Sequence, residues 1–200
     1  MKKFIFAVVA GLFVTSILSV SGFIKTSQNI RNDVLRLHVL ANSDTVEDQD
    51  LKLKVRDAVL EEGKDIFGGE INVENAEEKI ATEKSRLVDA AENVVKQNGF
   101  DYDVDVFVAD EYFGTRSYGD ITLPAGNYTA VKVTIGESAG HNWWCVMFPP
   151  MCLPAAEDKT DIDMYLSEDE VKVVKCNPEY DVRFKIVEWY EQIKHLWTKE

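Results

Sequence analysis

Apolar and polar positions divide the chain into segments with different periods. From Phe4 to Ile24 there are 21 consecutive residues without a charge. Removing a charge from water into hydrocarbon is costly, so such a run predicts a membrane-inserting helix. Over Asp33–Ala41, Leu35, Leu37 and Val39 alternate with Val34, Arg36, His38 and Leu40, a period of two that predicts a strand. Asn42-Ser43-Asp44-Thr45 is a turn cluster rich in helix-capping side chains. Helical spacing follows at Leu51, Val55, Ala58, Val59 and Ile66, until Gly68-Gly69 breaks it. A second helix is predicted from about Val73 to Gln97, with Ile80, Leu87, Ala91, Val94 and Val95 on its apolar face and Asn98-Gly99 as its stop.

The period returns to two over Asp101–Ala109, where Val104, Val106 and Val108 alternate with Asp105 and Phe107, and again over Asn127–Ile135. Gly114–Gly126, between them, suits a hairpin excursion. Gly136–Pro154 reads as a long loop containing Trp143, Trp144, Phe148 and several prolines. Ile186, Trp189 or Tyr190, Ile193 and Trp197 give a C-terminal helix from Val182. This order predicts an α+β fold: a small mixed or antiparallel sheet packed by about three helices, in one exported domain over residues 30–200. Residues 1–24 form a leader. Lys2 and Lys3 precede the apolar run, and Ser19-Val20-Ser21 offers small residues for cleavage after Ser21. An uncleaved anchor fits the same run, because about 20 apolar residues also span a bilayer. In both readings the basic start stays in the cytoplasm and the remainder is exported.

Charge narrows the partners. With 35 acidic and 22 basic residues the net charge is −13, and no basic stripe stands apart from acidic neighbours, which excludes nucleic acid as the expected partner. The three histidines, His38, His141 and His195, lack ligand spacing, and the three cysteines do not make a four-ligand zinc site, so neither metal nor cofactor is expected. In an exported protein Cys145 and Cys152, with six residues between them, are expected to form a disulfide that closes a small loop.

Two patterns suggest catalysis. Gly136-Glu137-Ser138-Ala139-Gly140 has the form of a nucleophile elbow, with Asp161 or Asp163 and then His195 later in the chain. An elbow must open a helix, however, and the following residues carry no helical period. Cys145 with His141 as base would be a thiol nucleophile, but no third group orients the base. A different use of the same region is recognition. Trp143, Trp144 and Phe148, stiffened by Pro149-Pro150, are of the type that anchors protein interfaces, with His38, Asn42 and Asp44 as a polar surround.

The chain resembles the stage II sporulation protein R family of endospore-forming bacteria. The resemblance rests on Leu35–Asp44 (LRLHVLANSD), Asp48-Gln49, Leu51–Val59 (LKLKVRDAV), Tyr118-Gly119-Asp120, Leu123–Tyr128 (LPAGNY), Gly140–Cys152 (GHNWWCVMFPPMC) and Arg183–Trp189 (RFKIVEW). It implies a non-enzymatic signalling protein, made in the forespore and exported into the space facing the mother cell. Its implied partner there is a membrane-bound aspartic-type peptidase that processes the precursor of sigma factor E. A secreted hydrolase using Ser138 or Cys145, and a structural protein of the spore envelope, are the competing expectations.

Overall fold

The computed structural model describes residues 1–67, 76–149, 165–175 and 182–198. Within them the order is α1 (Lys2–Asp33), β1 (Leu35–Leu40), α2 (Val46–Phe67), α3 (Ala76–Gln97), β2 (Val104–Phe113), β3 (Arg116–Tyr118), β4 (Ile121–Leu123), β5 (Gly126–Ile135), β6 (Asn142–Phe148), α4 (Glu168–Val174) and α5 (Val182–Thr198). The fold is α+β, with a mixed sheet, packed helices and an N-terminal apolar helix. The chain divides into two compact units: Met1–Arg31 with Tyr112–Asn127 and Leu166–Glu200, and Asn32–Glu111 with Tyr128–Tyr165.

The second unit holds the four-stranded sheet, in the order β2-β5-β1-β6. Central β1 runs parallel to β5, pairing His38 with Lys132, and antiparallel to β6, pairing His38 with Trp144 and Val39 with Trp143. Side chains paired across strands share a face. Leu37, Val39, Val131, Val133 and Cys145 therefore lie on the face that carries Trp143, over which α2 places Arg56, 4.5 Å from the ring centroid. Arg36, His38, Lys132 and Trp144 lie on the opposite face. α2 contributes Leu51, Val55 and Val59 to the core and packs on α3, which contributes Ile80, Leu87, Ala91 and Val95.

The first unit is built around the end of α1. The apolar run Phe4–Leu18 is exposed, and α1 is long and apolar enough to cross a membrane. The helix continues beyond that run, and its last turns bury Phe23, Ser27, Ile30 and Arg31. Phe23 meets Phe184 of α5 edge-on at 5.0 Å, and the Arg31 guanidinium donates to Glu191 at 3.0 Å and to the Ala125 carbonyl at 3.2 Å. Gly126, at φ +150°, is needed here: a Cβ would lie 2.6 Å from Arg31 Cδ. The hairpin expected within Gly114–Gly126 is β3–β4, paired Arg116 to Leu123 and Tyr118 to Ile121.

Two sequence expectations change. Gly136–Pro154 is not one long loop, because Asn142–Phe148 is strand β6, docked along the whole of β1. A continuous apolar run between a glycine-rich turn and prolines lacks alternation, but it matches a strand buried on both faces. A further helix, α4, also forms where no period was visible. Its start is fixed by Ser167, whose N–H and hydroxyl both donate to Glu170 at 2.7 Å.

Candidate functional site

The site residues expected from sequence fall on three pieces of the second unit: His38 on β1, Asn42 and Asp44 in the turn into α2, and Trp143, Trp144 and Phe148 on β6, which the Gly136–His141 turn leads into. The two turns are locked together. Ala139 and Gly140 N–H groups donate to the Asn42 and Ala41 carbonyls at 3.1 and 3.0 Å. The Asn42 side chain accepts from Glu137 N–H at 2.9 Å and donates to Asp48 at 2.9 Å, while the Ser43 hydroxyl donates to Asp48 at 2.6 Å. Glycine is required twice: a Cβ on Gly136, at φ +53°, would lie 2.3 Å from the Asn42 amide oxygen, and one on Gly140 would lie 2.1 Å from the Ser43 carbonyl oxygen. Asn42 is thus a clamp between loops.

Asp44 accepts from the His141 backbone N–H at 2.5 Å, and its carboxylate lies 2.5 Å from His141 Nδ1. The backbone donation first, then the imidazole, hold the Asp44 carboxyl below the usual carboxylate range. Burial pushes Asp48 up, but hydrogen bonds from Ser43, Asn42, Tyr102 and Thr45 outweigh it and leave its pKa lowered. Beneath this turn, buried Lys52 donates to the His141 carbonyl at 2.9 Å. Burial lowers the Lys52 pKa; Asp44 opposes the shift and Arg56 adds to it.

On the sheet face opposite α2, Trp144 stacks on His38 with ring centroids 3.6 Å apart and planes 15° from parallel. His38 is 3% exposed and its Nδ1 lies 2.5 Å from Glu111 Oε2, whose other oxygen accepts from Lys132 at 2.7 Å. His38 Nε2 is buried and has no hydrogen-bond partner among the described residues. Farther along this face the Arg36 guanidinium lies 5.1 Å from the Tyr128 ring centroid. His38, expected in the polar surround of an interface, is therefore an interior member of a Trp144–His38–Glu111–Lys132 chain. Trp143 is held from the α2 side by Arg56.

The aromatic block is split. Trp143 and Trp144 are half-buried beside exposed Asn142, whereas Cys145, Val146, Met147 and Phe148 are core. Phe148, expected as an interface anchor, is instead 7% exposed and packs edge-on against Tyr165 at 5.1 Å. Glu111, Lys132, Arg56, Lys52 and the pairing of His141 with Asp44 were not anticipated. Lys132 was findable, because it alternates with Val131 and Val133 on a predicted strand; Glu111 lay beyond the predicted end of its strand.

Ser138 has φ +54° in the turn after β5, and its N–H donates to the Ile135 carbonyl at 3.1 Å. The chain continues from it into strand β6, so the helix that a nucleophile elbow opens is not there. His195 sits in the first unit, stacked on Tyr112 at 5.1 Å. Cys145 is buried opposite Leu37. Asp161, Asp163, Cys152 and Cys176 lie outside the described residues, and the expected Cys145–Cys152 disulfide with them. Among the described residues no group of His, Cys, Asp or Glu is arranged to hold a metal ion.

No solved structure matches the chain. It is 30% identical to the stage II sporulation protein R of Bacillus subtilis strain 168 over 185 residues, covering 82% of this chain and 83% of the relative. The model of the family described as stage II sporulation protein R matches residues 31–158, a stretch that contains β1, both interlocked turns and the whole of β6. The chain belongs to the stage II sporulation protein R family.

Proposed function

We propose that this protein is an exported signal of endospore formation, passing from forespore to mother cell and activating the membrane peptidase that processes the precursor of sigma factor E. The family match over residues 31–158 carries this reading. The exposed apolar run of α1 supports delivery to or across a membrane. A binding role, without bond chemistry, agrees with what surrounds the aromatic pair. Trp143 and Trp144 are held in fixed orientation by Arg56 and His38, and a pre-oriented aromatic loses little entropy on docking. An activator of this kind works through differential affinity for the active state of its receptor.

The test is co-expression of the peptidase, the sigma precursor and this chain in a non-sporulating host. Precursor processing is expected only when the chain is present. Trp143→Ala and Trp144→Ala are each expected to weaken receptor binding by at least about thirtyfold, the loss typical of a buried aromatic anchor. Ser138→Ala should process like the wild type. Circular dichroism serves as the fold control. Loss of processing in Ser138→Ala alone would replace the signalling reading with the hydrolase one.

A further inference from the structure

Helix α5 carries two apolar faces, and its own unit uses one of them. Phe184, Val187 and Glu191 are buried, with Phe184 on Phe23 and Glu191 paired to Arg31. On the other side Val182, Trp189, Tyr190, Ile193, Leu196 and Trp197 are exposed, Trp189 at 64%, Leu196 at 69% and Trp197 at 81%. Exposed aromatic area of this size in one stripe marks an interaction surface.

The spacing identifies the occupant. Val182, Ile186, Trp189, Ile193 and Leu196 follow one another at intervals of four, three, four and three residues, the a/d repeat by which one helix packs on another. Tyr190 and Trp197 flank this seam one position on. Charge permits a self-contact: α5 holds Arg183, Lys185 and Lys194 against Glu188 and Glu191, so it is slightly positive in a chain of net charge −13. Copies that repel elsewhere can meet here. The six exposed side chains present roughly 700 Å², on the order of the ~800 Å² that each partner supplies to a standard interface. A bilayer is a poorer occupant. Phe184 meets Phe23 and Glu191 meets Arg31, so α5 runs in the same direction as α1, away from the apolar run. At about 1.5 Å per residue Trp197 stands roughly 20 Å beyond Phe184, well past the headgroup layer of a membrane holding Phe4–Ile24.

We infer that the exposed face of α5 is a homodimer interface, in which the Val182–Leu196 seam packs against the same seam of a second copy. This goes beyond the signalling reading and does not depend on it.

Sedimentation of the full-length chain in mild detergent tests it. The wild type is expected to be dimeric, and Trp189→Glu and Ile193→Glu should each weaken the dimer by at least about thirtyfold while leaving the circular dichroism spectrum unchanged. Oxidative cross-linking gives a second readout. Trp189 is the middle of the seam, so Trp189→Cys should trap a covalent dimer whether the helices run parallel or antiparallel, and Thr82→Cys on exposed α3 should give only the wild-type background. A monomeric wild type overturns the inference, as does a dimer untouched by both Glu variants, which would assign association to another surface. A monomer whose Trp189 fluorescence shifts to the blue only on adding lipid vesicles overturns it in favour of a membrane contact.

Discussion

Gly140→Ala is the sharpest probe of how the site is built. The new Cβ would lie 2.1 Å from the Ser43 carbonyl oxygen, 2.5 Å from its carbon and 3.0 Å from its Cα. All three are backbone atoms, so no side-chain rotation relieves the contact. The turn must open by more than an ångström, and that movement strains the Gly140 N–H to Ala41 and Ala139 N–H to Asn42 hydrogen bonds. Overpacking of this kind costs about 1–3 kcal/mol, and each weakened hydrogen bond adds about 1 kcal/mol. A loss of about 3 kcal/mol is expected, a fall in Tm on the order of 10 °C for a chain of this size. Gly114→Ala is the control: its Cβ would meet nothing within 4 Å, and its effect should stay within about 0.5 kcal/mol. Urea unfolding of the full-length protein, followed by far-ultraviolet circular dichroism and tryptophan fluorescence, measures both. If Gly140→Ala unfolds at the wild-type urea concentration, the two turns are not locked as described.

Three further outcomes are expected. Asp44 and Asp48 both have lowered pKa values in the fold, so they bind fewer protons there than in the unfolded chain; their stabilisation is complete above the ordinary carboxylate range and disappears as pH falls through the folded values. Tm should therefore drop steeply below about pH 4, and less steeply in Asp48→Asn; parallel curves for the two proteins would refute the assignment. Leu12→Arg with Val14→Arg puts two charges in the exposed apolar run, at about 2.5–3.5 kcal/mol each, and cell fractionation should find the protein retained in the producing cell. Mass spectrometry of the non-reduced protein is expected to show a Cys145–Cys152 bridge; alkylation of both thiols under oxidising conditions would exclude it.

The sheet was legible where burial is one-sided. β2 shows Val104 and Val106 buried between exposed Asp105 and Phe107, the pattern that alternation predicts. β1 was readable as a strand from its alternating sequence, but its depth was not: all of Leu35–Val39 are buried, including Arg36 and His38, because strands flank it on both sides and both of its faces are covered. Alternation reports which way a side chain points, not whether something lies over it. β6 failed the opposite test. Its apolar run has no period to detect, and only pairing with β1, more than a hundred residues earlier in the chain, turns it into a strand. The start of α4 had a local signal, Ser167 with Glu170, that the surrounding charge obscured.

The same distinction explains why the candidate site was only half readable. Sequence brought Trp143, Trp144, His38, Asn42 and Asp44 to one neighbourhood because each sits in a distinctive segment, and the structure does place them on adjoining turns and strands. What sequence could not assign was the division of labour among them, which is set by partners distant in the chain. Asn42 faces Gly136 and Asp48, so its side chain is consumed in holding two loops. His38 is consumed in a hydrogen bond with Glu111, and its ring is a platform for Trp144. Phe148 is consumed in the core. Exposed His141, paired with Asp44, and exposed Asn142 stand beside half-buried Trp143 and Trp144, and the four follow one another from the turn into the start of β6. Five of the six residues singled out from sequence thus converge on one place. Two of them act there as supports, His38 beneath Trp144 and Asn42 at the turn that leads into β6, and on the signalling proposal their substitution should act through Trp144 and that turn rather than through any contact of their own.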